Sequence, residues 1–383
     1  MRDLEQHIRR QLTDIDTAGL RRTLRVPAGV DLSSNDYLGL ASHPVLKERM
    51  AEAVRREGCG STASRLLRGQ RESFAAIEDR FAAFKGTAAS LYFSSGYLAN
   101  LGVLATFPEE GDIVFSDELN HASLIDGLRL SRARRVIFPH ADVQALRERM
   151  EQEPASRRFL VTESLFSMDG DEAPLAEYAK LCRASGAALI VDEAHAVGIY
   201  GPRGSGMIEE AGISEDVFLS INTAGKALGV GGAFVAGPAW AIDYLIQRAR
   251  SFIFSTAPPP AMAAALEAAL DLVAGEPERR ARLQENAGCL RRRLTELGFS
   301  IPSGRSQIIP VMIGDNERAV AIATALVDDG FDVRAIRPPS VPPGTARLRI
   351  SINAALDHAT LERFAGAVAS TVARLTPCSV ASS

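Results

Sequence analysis

Between residues 72 and 240 the chain alternates short apolar runs with segments of helical period. The apolar runs predict strands at Ser90–Phe93, Ile113–Phe115, Val136–Phe138, Phe159–Thr162, Ala188–Val191, Val217–Ile221 and Ala233–Ala236. Helical spacing covers Glu72–Lys85 and Leu175–Ala184. Runs that are apolar throughout, rather than at every second residue, belong to strands covered on both faces. The expected fold class is therefore α/β, with a mostly parallel central sheet flanked by helices. Ligands in such sheets lie beyond the carboxyl ends of the strands. A long helical region follows over 259–297, with a break expected near Gly275-Glu276-Pro277. Strands at Ile308–Ile313, Val333–Ile336 and Leu348–Ile352 then alternate with helices at Glu317–Asp328 and Ala359–Leu375. That pattern reads as a smaller C-terminal α+β domain. Residues 1–26 read as an amphipathic, arginine-rich helix, and Asp31 to Gly39 as an irregular polar turn. The organisation expected is an N-terminal segment over 1–40, a large α/β domain over 41–277 and a C-terminal domain over 278–383. There is no internal repeat, and low complexity is confined to a ragged tail after Pro377.

Charge narrows the function classes. The 383 residues carry 43 basic and 47 acidic side chains, for a net charge of −4. No excess positive field exists to neutralise phosphates, so a general nucleic-acid binder or a polybasic membrane binder is excluded. No apolar run approaches the length of a membrane-spanning helix. The opening residues lack the apolar core of a signal peptide. Four cysteines (Cys59, Cys182, Cys289, Cys378) are widely spaced without a CxxC pair, so a reduced, cytoplasmic chain with no metal site is expected. Of the 43 basic residues only Lys47, Lys85, Lys180 and Lys226 are lysines. Chemistry that needs an amine has four candidates, and three of them (Lys47, Lys85, Lys180) read as solvated helical positions.

Lys226 differs. It stands in Ser220-Ile221-Asn222-Thr223-Ala224-Gly225-Lys226-Ala227-Leu228-Gly229-Val230-Gly231-Gly232, a stretch with no other charge. A P-loop would need glycine where Ser220 stands and Ser or Thr at Ala227, and a dinucleotide fingerprint from Gly229 fails at Phe234. What remains is a surface-turn lysine or a lysine whose amine is freed for Schiff-base chemistry. The run Ala188 to Val191 delivers Asp192 at a strand end, three residues before His195. Asp192 is either a helix cap or a carboxylate aimed at a cationic ligand atom. Ser94-Ser95-Gly96-Tyr97 follows another strand and opens a helix, as a plain cap or as a cradle for phosphate. His121, in Asn120-His121-Ala122-Ser123, is a capping or core histidine or a site residue. Arg337, before Pro338-Pro339-Ser340, is a loop arginine or a carboxylate fork. Taken together, a Schiff-base lysine, an aspartate for a pyridine nitrogen, a phosphate cradle, two histidines and an arginine are the groups that pyridoxal 5′-phosphate needs.

At this point the sequence resembles the α-oxoamine synthases, fold-type-I pyridoxal-phosphate enzymes similar in fold to aspartate aminotransferase. The resemblance runs through Ser34-Asn35-Asp36-Tyr37-Leu38-Gly39-Leu40, Ser95-Gly96-Tyr97, His121-Ala122-Ser123, Glu163 to Gly170, Asp192-Glu193-Ala194-His195 and Thr223-Ala224-Gly225-Lys226. Ile336-Arg337-Pro338-Pro339-Ser340-Val341-Pro342, with Gly344 to Arg349, is its most subgroup-specific part. The resemblance implies that Lys226 carries the cofactor as a Schiff base, that Asp192 pairs with the ring nitrogen and that His121 stacks on the ring. It places Ser167 and His195 at the 3′ oxygen, and Ser95, Gly96, Tyr97 and Thr223 at the phosphate. Ser255 and Thr256 match positions that complete the phosphate site from a second subunit, which implies a homodimer with shared active sites. Arg21, Asn35, His121, Arg337 and Ser340 match positions around the substrate. Two departures, Ala224 after Thr223 and Ala63 before Ser64-Arg65, bear on pocket shape and loop freedom.

The implied activity is an acyltransferase reaction of biotin biosynthesis, joining L-alanine to a pimeloyl thioester (pimeloyl-CoA or pimeloyl-ACP) with loss of CO2. Sister activities remain as alternatives: glycine with acetyl-CoA or succinyl-CoA, or serine with an acyl thioester. A non-catalytic pyridoxal-phosphate-binding subunit is a further one.

Overall fold

The computed structural model describes residues 1–155 and 157–375. Cys378 and the tail after Pro377 lie outside the described residues. The chain divides into two compact units. The larger comprises Asn35–Ser167 and Asp171–Ala281; the smaller comprises Met1–Ser34, Met168–Gly170 and the described residues from Arg282 onward.

The larger unit is built on seven strands: β1 (Ala89–Phe93), β2 (Ile113–Asp117), β3 (Arg134–Phe138), β4 (Arg158–Glu163), β5 (Ala188–Asp192), β6 (Val217–Thr223) and β7 (Ala233–Gly237). Their order across the sheet is β1-β7-β6-β5-β4-β2-β3. Only β7 runs against its neighbours; the remaining pairs are parallel. Phe93, Asp117, Glu163, Asp192 and Thr223 therefore all end strands on one edge of the sheet. Alternate apolar residues of β1, β2 and β4–β7 pack against Ala99, Val103 and Leu104 on one face. Phe115, Leu160, Leu189 and Val191, pointing to the other face, are fully buried too, as the unbroken apolar runs require. The helix Glu72–Lys85 has its expected bounds, and Leu175–Ser185 ends on Gly186 in the left-handed region. The long helical region is two helices, Ala261–Gly275 and Pro277–Glu296, separated at Glu276.

In the smaller unit, strands Ile308–Gly314, Ala346–Ser351 and Arg334–Ile336 form an antiparallel sheet with Ala346–Ser351 central. Helices Asn316–Asp328 and His358–Arg374 belong to the same unit. Its first helix runs over Arg2–Thr17, not to residue 26. Gly19 turns the chain at φ 65°, and residues 20–28 have no regular structure, so Arg21 stands on an irregular stretch. Among the described residues no helix is long and apolar enough to cross a membrane.

Lys85 departs from the solvated setting expected of it. It is only 5% exposed and forms an ion pair with the fully buried Glu193, while its Nζ also donates to the Ser205 carbonyl at 2.5 Å. Glu193 in turn accepts the Ile208 N–H at 3.0 Å. Removing one member leaves an uncompensated buried charge, so Lys85→Ala should lose about 3–5 kcal/mol of stability. Lys85→Met with Glu193→Leu should recover part of that loss. Denaturant midpoints of the three proteins test this; equal midpoints for wild type and Lys85→Ala would contradict it.

Candidate active site

The strand-end edge of the larger unit gathers most of the residues singled out from the sequence. Asp192 closes β5 and is buried. Its Oδ2 accepts from Asn100 Nδ2 at 2.8 Å and its Oδ1 from the Ala194 N–H at 2.9 Å. Asn100 Nδ2 is also 2.8 Å from Ser123 Oγ, while its own Oδ1 has no partner among the described residues. Among the described residues Asp192 forms no ion pair. A buried carboxylate held by neutral donors alone is suited to a cationic atom of a ligand.

Lys226 follows β6 in a tight turn. The Ala224 N–H bonds the Gly232 carbonyl at 2.9 Å and the Gly229 N–H bonds the Lys226 carbonyl at 2.8 Å. Gly229, at φ 68°, comes so close to Ala41 that a Cβ would meet its nitrogen at 2.5 Å, so the turn requires glycine there. The Lys226 Nζ lies 2.7 Å from His195 Nε2, and His195 Nδ1 lies 2.6 Å from the Tyr37 hydroxyl. Tyr37 donates to Asn35 Oδ1 at 2.9 Å. One proton assignment satisfies the row: the amine donates to Nε2, Nδ1–H donates to the tyrosine oxygen, and tyrosine donates to asparagine. The row fixes where the amine points.

The cradle is built at the start of the helix Gly96–Leu104. Ser95 caps it, its Oγ accepting the Leu98 N–H at 3.2 Å. A Cβ on Gly96 would meet Thr223 Oγ1 at 2.4 Å, so glycine is what lets this backbone lie against the end of β6. Tyr97 is exposed and its hydroxyl bonds Asp126. In the same unit, Ser94 Oγ reaches the carbonyl of the exposed Thr256 at 3.5 Å, with the half-buried Ser255 beside it. Ala224 is fully buried, whereas the Ala63 carbonyl accepts the Ala257 N–H at 2.9 Å.

His121 caps the helix Ala122–Leu130, its Nδ1 accepting the Ser123 N–H at 3.2 Å. Partial burial, opposed by Asp192 and reinforced by Lys226, holds the imidazole below its ordinary value, so it is neutral at pH 7. Its backbone N–H donates to Glu163 Oε1 at 2.7 Å. Burial first, and Asp192 beside it second, push the Glu163 carboxyl well above the usual carboxylate range. Ser167 stands on the segment that leaves β4. That segment is clamped by His140, whose Nδ1 lies 2.9 Å from Asp117 Oδ1 and whose Nε2 lies 2.5 Å from Asp171 Oδ2. Phe166 meets the His140 ring edge-on at 4.4 Å.

The clamp makes a prediction. Burial opposes the charge on His140, yet its bonds to Asp117 and Asp171 prevail and raise it to about 10. A histidine raised from its ordinary value near 6.5 contributes fully below that pH and fades as pH climbs towards the folded value. His140→Gln should therefore lower the denaturant midpoint at pH 6.5 and change it little at pH 10. A gap that widens with pH would contradict this.

Three further residues belong to the smaller unit and border one cavity of about 430 Å³: Arg21, Arg337 and Ser340. Arg337 donates to the carbonyl of Gly19 and, at 3.3 Å, to that of Arg21. The Ser340 N–H bonds the Arg337 carbonyl at 3.1 Å. Sequence reasoning gave no role to Tyr37, Asn100 or Glu163. Asn100 carried a signal, as the one polar amide in an otherwise apolar helix, Gly-Tyr-Leu-Ala-Asn-Leu-Gly-Val-Leu. The contact of Tyr37 with His195 spans 158 positions and left no local trace.

The donor set suits a ligand with a phosphate, a cationic ring nitrogen and a carbonyl that an amine can attack. The unpartnered Asn100 oxygen and the crowded Gly96–Thr223 contact mark the two ends of that space. Comparison with known proteins agrees. A family model, aminotransferase class I and II, matches residues 27–368. An 8-amino-7-oxononanoate synthase of Geobacter sulfurreducens is 47% identical over 376 residues, covering 94% of this chain and 96% of the relative. A serine palmitoyltransferase from S. paucimobilis, solved with PLP and myriocin bound, superposes with a TM-score of 0.91 at 29% identity, covering 96% of this chain and 97% of that one. An 8-amino-7-oxononanoate synthase structure from Francisella tularensis gives 0.79 at 28% identity, covering 90% of this chain and 98% of that one. The chain thus belongs to the class I and II aminotransferase family and, within it, to the 8-amino-7-oxononanoate synthases.

Proposed function

We propose that this site condenses L-alanine with a pimeloyl thioester, releasing CO2 and the thiol, to give 8-amino-7-oxononanoate. The observation that carries the reading is the Lys226–His195–Tyr37–Asn35 row together with Asp192, a buried carboxylate that has no ion pair among the described residues. The cofactor is pyridoxal 5′-phosphate, which when bound supplies an electron sink for the carbanion at the alanine Cα. Lys226 takes the Cα proton on Nζ, and His195 Nε2 accepts an N–H from that nitrogen and so directs its lone pair. Positioned proton transfer of this kind contributes roughly 10²–10⁴-fold. Asp192 holds a proton on the ring nitrogen, with Asn100 and the Ala194 N–H keeping the carboxylate in place. His121, neutral at pH 7, packs on the ring and hydrogen-bonds the acyl oxygen as charge develops there. Ser167 joins His195 at the 3′ oxygen.

Ser95, Gly96, Tyr97 and Thr223 hold the phosphate through backbone N–H groups and hydroxyls at a helix start. Ser255 and Thr256 of a second copy complete that site, so the working form is a homodimer. Arg337 orients the alanine carboxylate, with Arg21, Asn35 and Ser340 around the substrate. Held orientation lowers the barrier by fixing which Cα bond breaks. The enzyme works in the cytoplasm, and its donor is pimeloyl-CoA or pimeloyl-ACP.

Likeness to serine palmitoyltransferases at 29% identity reflects shared architecture, whereas 47% identity to the synthases bears on substrate. Steady-state assays of L-alanine, glycine and L-serine against pimeloyl-, acetyl-, succinyl- and palmitoyl-CoA separate these readings. L-alanine with a pimeloyl donor should give the highest kcat/KM by at least about tenfold. Faster turnover of glycine with acetyl- or succinyl-CoA would replace the proposed reaction with a sister one.

A further inference from the structure

The cavity bordered by Arg21, Arg337 and Ser340 carries more charge than a substrate carboxylate needs. Five arginines line it (Arg21, Arg22, Arg25, Arg334, Arg337) and no Asp or Glu does. Two are partly neutralised from outside: Arg21 lies 3.4 Å from Asp16 and Arg334 lies 2.9 Å from Asp332. Arg337 is turned towards backbone carbonyls. Arg22 and Arg25 are exposed and, among the described residues, form no ion pair. Burial, and then the charges of Arg22 and Arg25, hold the Arg337 guanidinium below its ordinary value, so these three groups repel one another across the cavity. Thr23, Thr324 and Ser340 add hydroxyls, and Val320, Ala323 and Val327 of the helix Asn316–Asp328 form an aliphatic side. In a chain of net charge −4 the cluster is not part of a generally basic surface.

One carboxylate is satisfied by one bidentate arginine. Three guanidinium groups without acidic partners suit a phosphate, and an aliphatic wall beside them suits an uncharged chain attached to it. We propose that this cavity receives the phosphorylated pantetheine arm of the acyl donor, with Arg22 and Arg25 binding its phosphate and the aliphatic wall packing on its carbons. The inference rests on the thioester reading above. Coenzyme A and a carrier protein both present this arm, so the shared chemistry is the site's ligand.

Calorimetric titration of the holoenzyme with pantetheine, 4′-phosphopantetheine, coenzyme A and holo acyl carrier protein tests it. 4′-Phosphopantetheine should bind at least about tenfold more tightly than pantetheine, as one charge-assisted contact provides. That difference should vanish in Arg22→Ala/Arg25→Ala and return in Arg22→Lys/Arg25→Lys. The alanine double variant should raise KM for the pimeloyl thioester about tenfold or more, while kcat and KM for L-alanine stay near wild type. Its melting temperature should match wild type. Tighter binding of coenzyme A than of the carrier protein assigns the arm to the nucleotide form, and the reverse assigns it to the protein form; either supports the site. Equal affinity for pantetheine and 4′-phosphopantetheine, or a double variant that lowers kcat alone, overturns it. No turnover with any pimeloyl thioester, beside an intact phosphate preference in calorimetry, would fault the proposed reaction and not the phosphate site.

Discussion

Lys226→Ala should bind pyridoxal phosphate without forming the covalent link that borohydride fixes, and its kcat should fall by at least about 10³-fold. The size follows from two losses at one atom. The amine both attaches the cofactor and moves the Cα proton, and proton transfer alone is worth roughly 10²–10⁴-fold. The local structure sharpens the expectation. Nζ is held 2.7 Å from His195 Nε2, and the ring is held in turn by Tyr37 at 2.6 Å, so no flexible neighbour substitutes for it. The other lysines cannot replace it: Lys85 is locked in its ion pair with Glu193, and Lys47 and Lys180 are exposed on helices. Peptide mapping after reduction should find the adduct on the Lys226 peptide of wild type and on none in the variant. Persistence of the adduct in Lys226→Ala would assign the chemistry to another amine.

The second large effect is expected at Asp192. Asp192→Asn keeps the size of the side chain and removes its charge, leaving Asn100 and the Ala194 N–H facing an amide. A ring nitrogen facing that amide loses the group that keeps it protonated, and with it much of the pull on the carbanion. Loss of preorganised charge at such a position lowers kcat by about 10²–10³-fold. Two readouts separate this from misfolding. The melting temperature should stay near wild type, and the absorbance of the bound cofactor should shift towards that of an unprotonated ring. Unchanged kcat with an unchanged spectrum would show that Asp192 does not face the ring nitrogen.

The sheet was legible because burial on both faces leaves strands written as unbroken apolar runs, and all seven large-unit strands lie where those runs fall. Asp192 was placed at a strand end by the same logic, whereas β6 runs two residues past its apolar run and ends on Thr223. What the sequence hid was tertiary. Lys85 is the last residue of its helix, and no local signal names Glu193, 108 positions away, as the partner its amine meets in the interior. The first helix was read too long because arginines at 21, 22 and 25 continue its amphipathic spacing, whereas Gly19 at positive φ ends it. That stop is what places Arg22 and Arg25 on an irregular stretch that lines the same cavity as Arg337. Glu163 was visible as a letter in a motif, but its role under the His121 backbone depends on two strand ends meeting.

The most direct test of the reaction follows the carboxyl carbon of alanine. Purified enzyme with pyridoxal phosphate, pimeloyl-CoA and L-[1-¹³C]alanine should release ¹³CO2, free thiol and 8-amino-7-oxononanoate in equal amounts, with no label in the product. Label retained in an acylated product, or thiol released without CO2, would contradict decarboxylative condensation at this site.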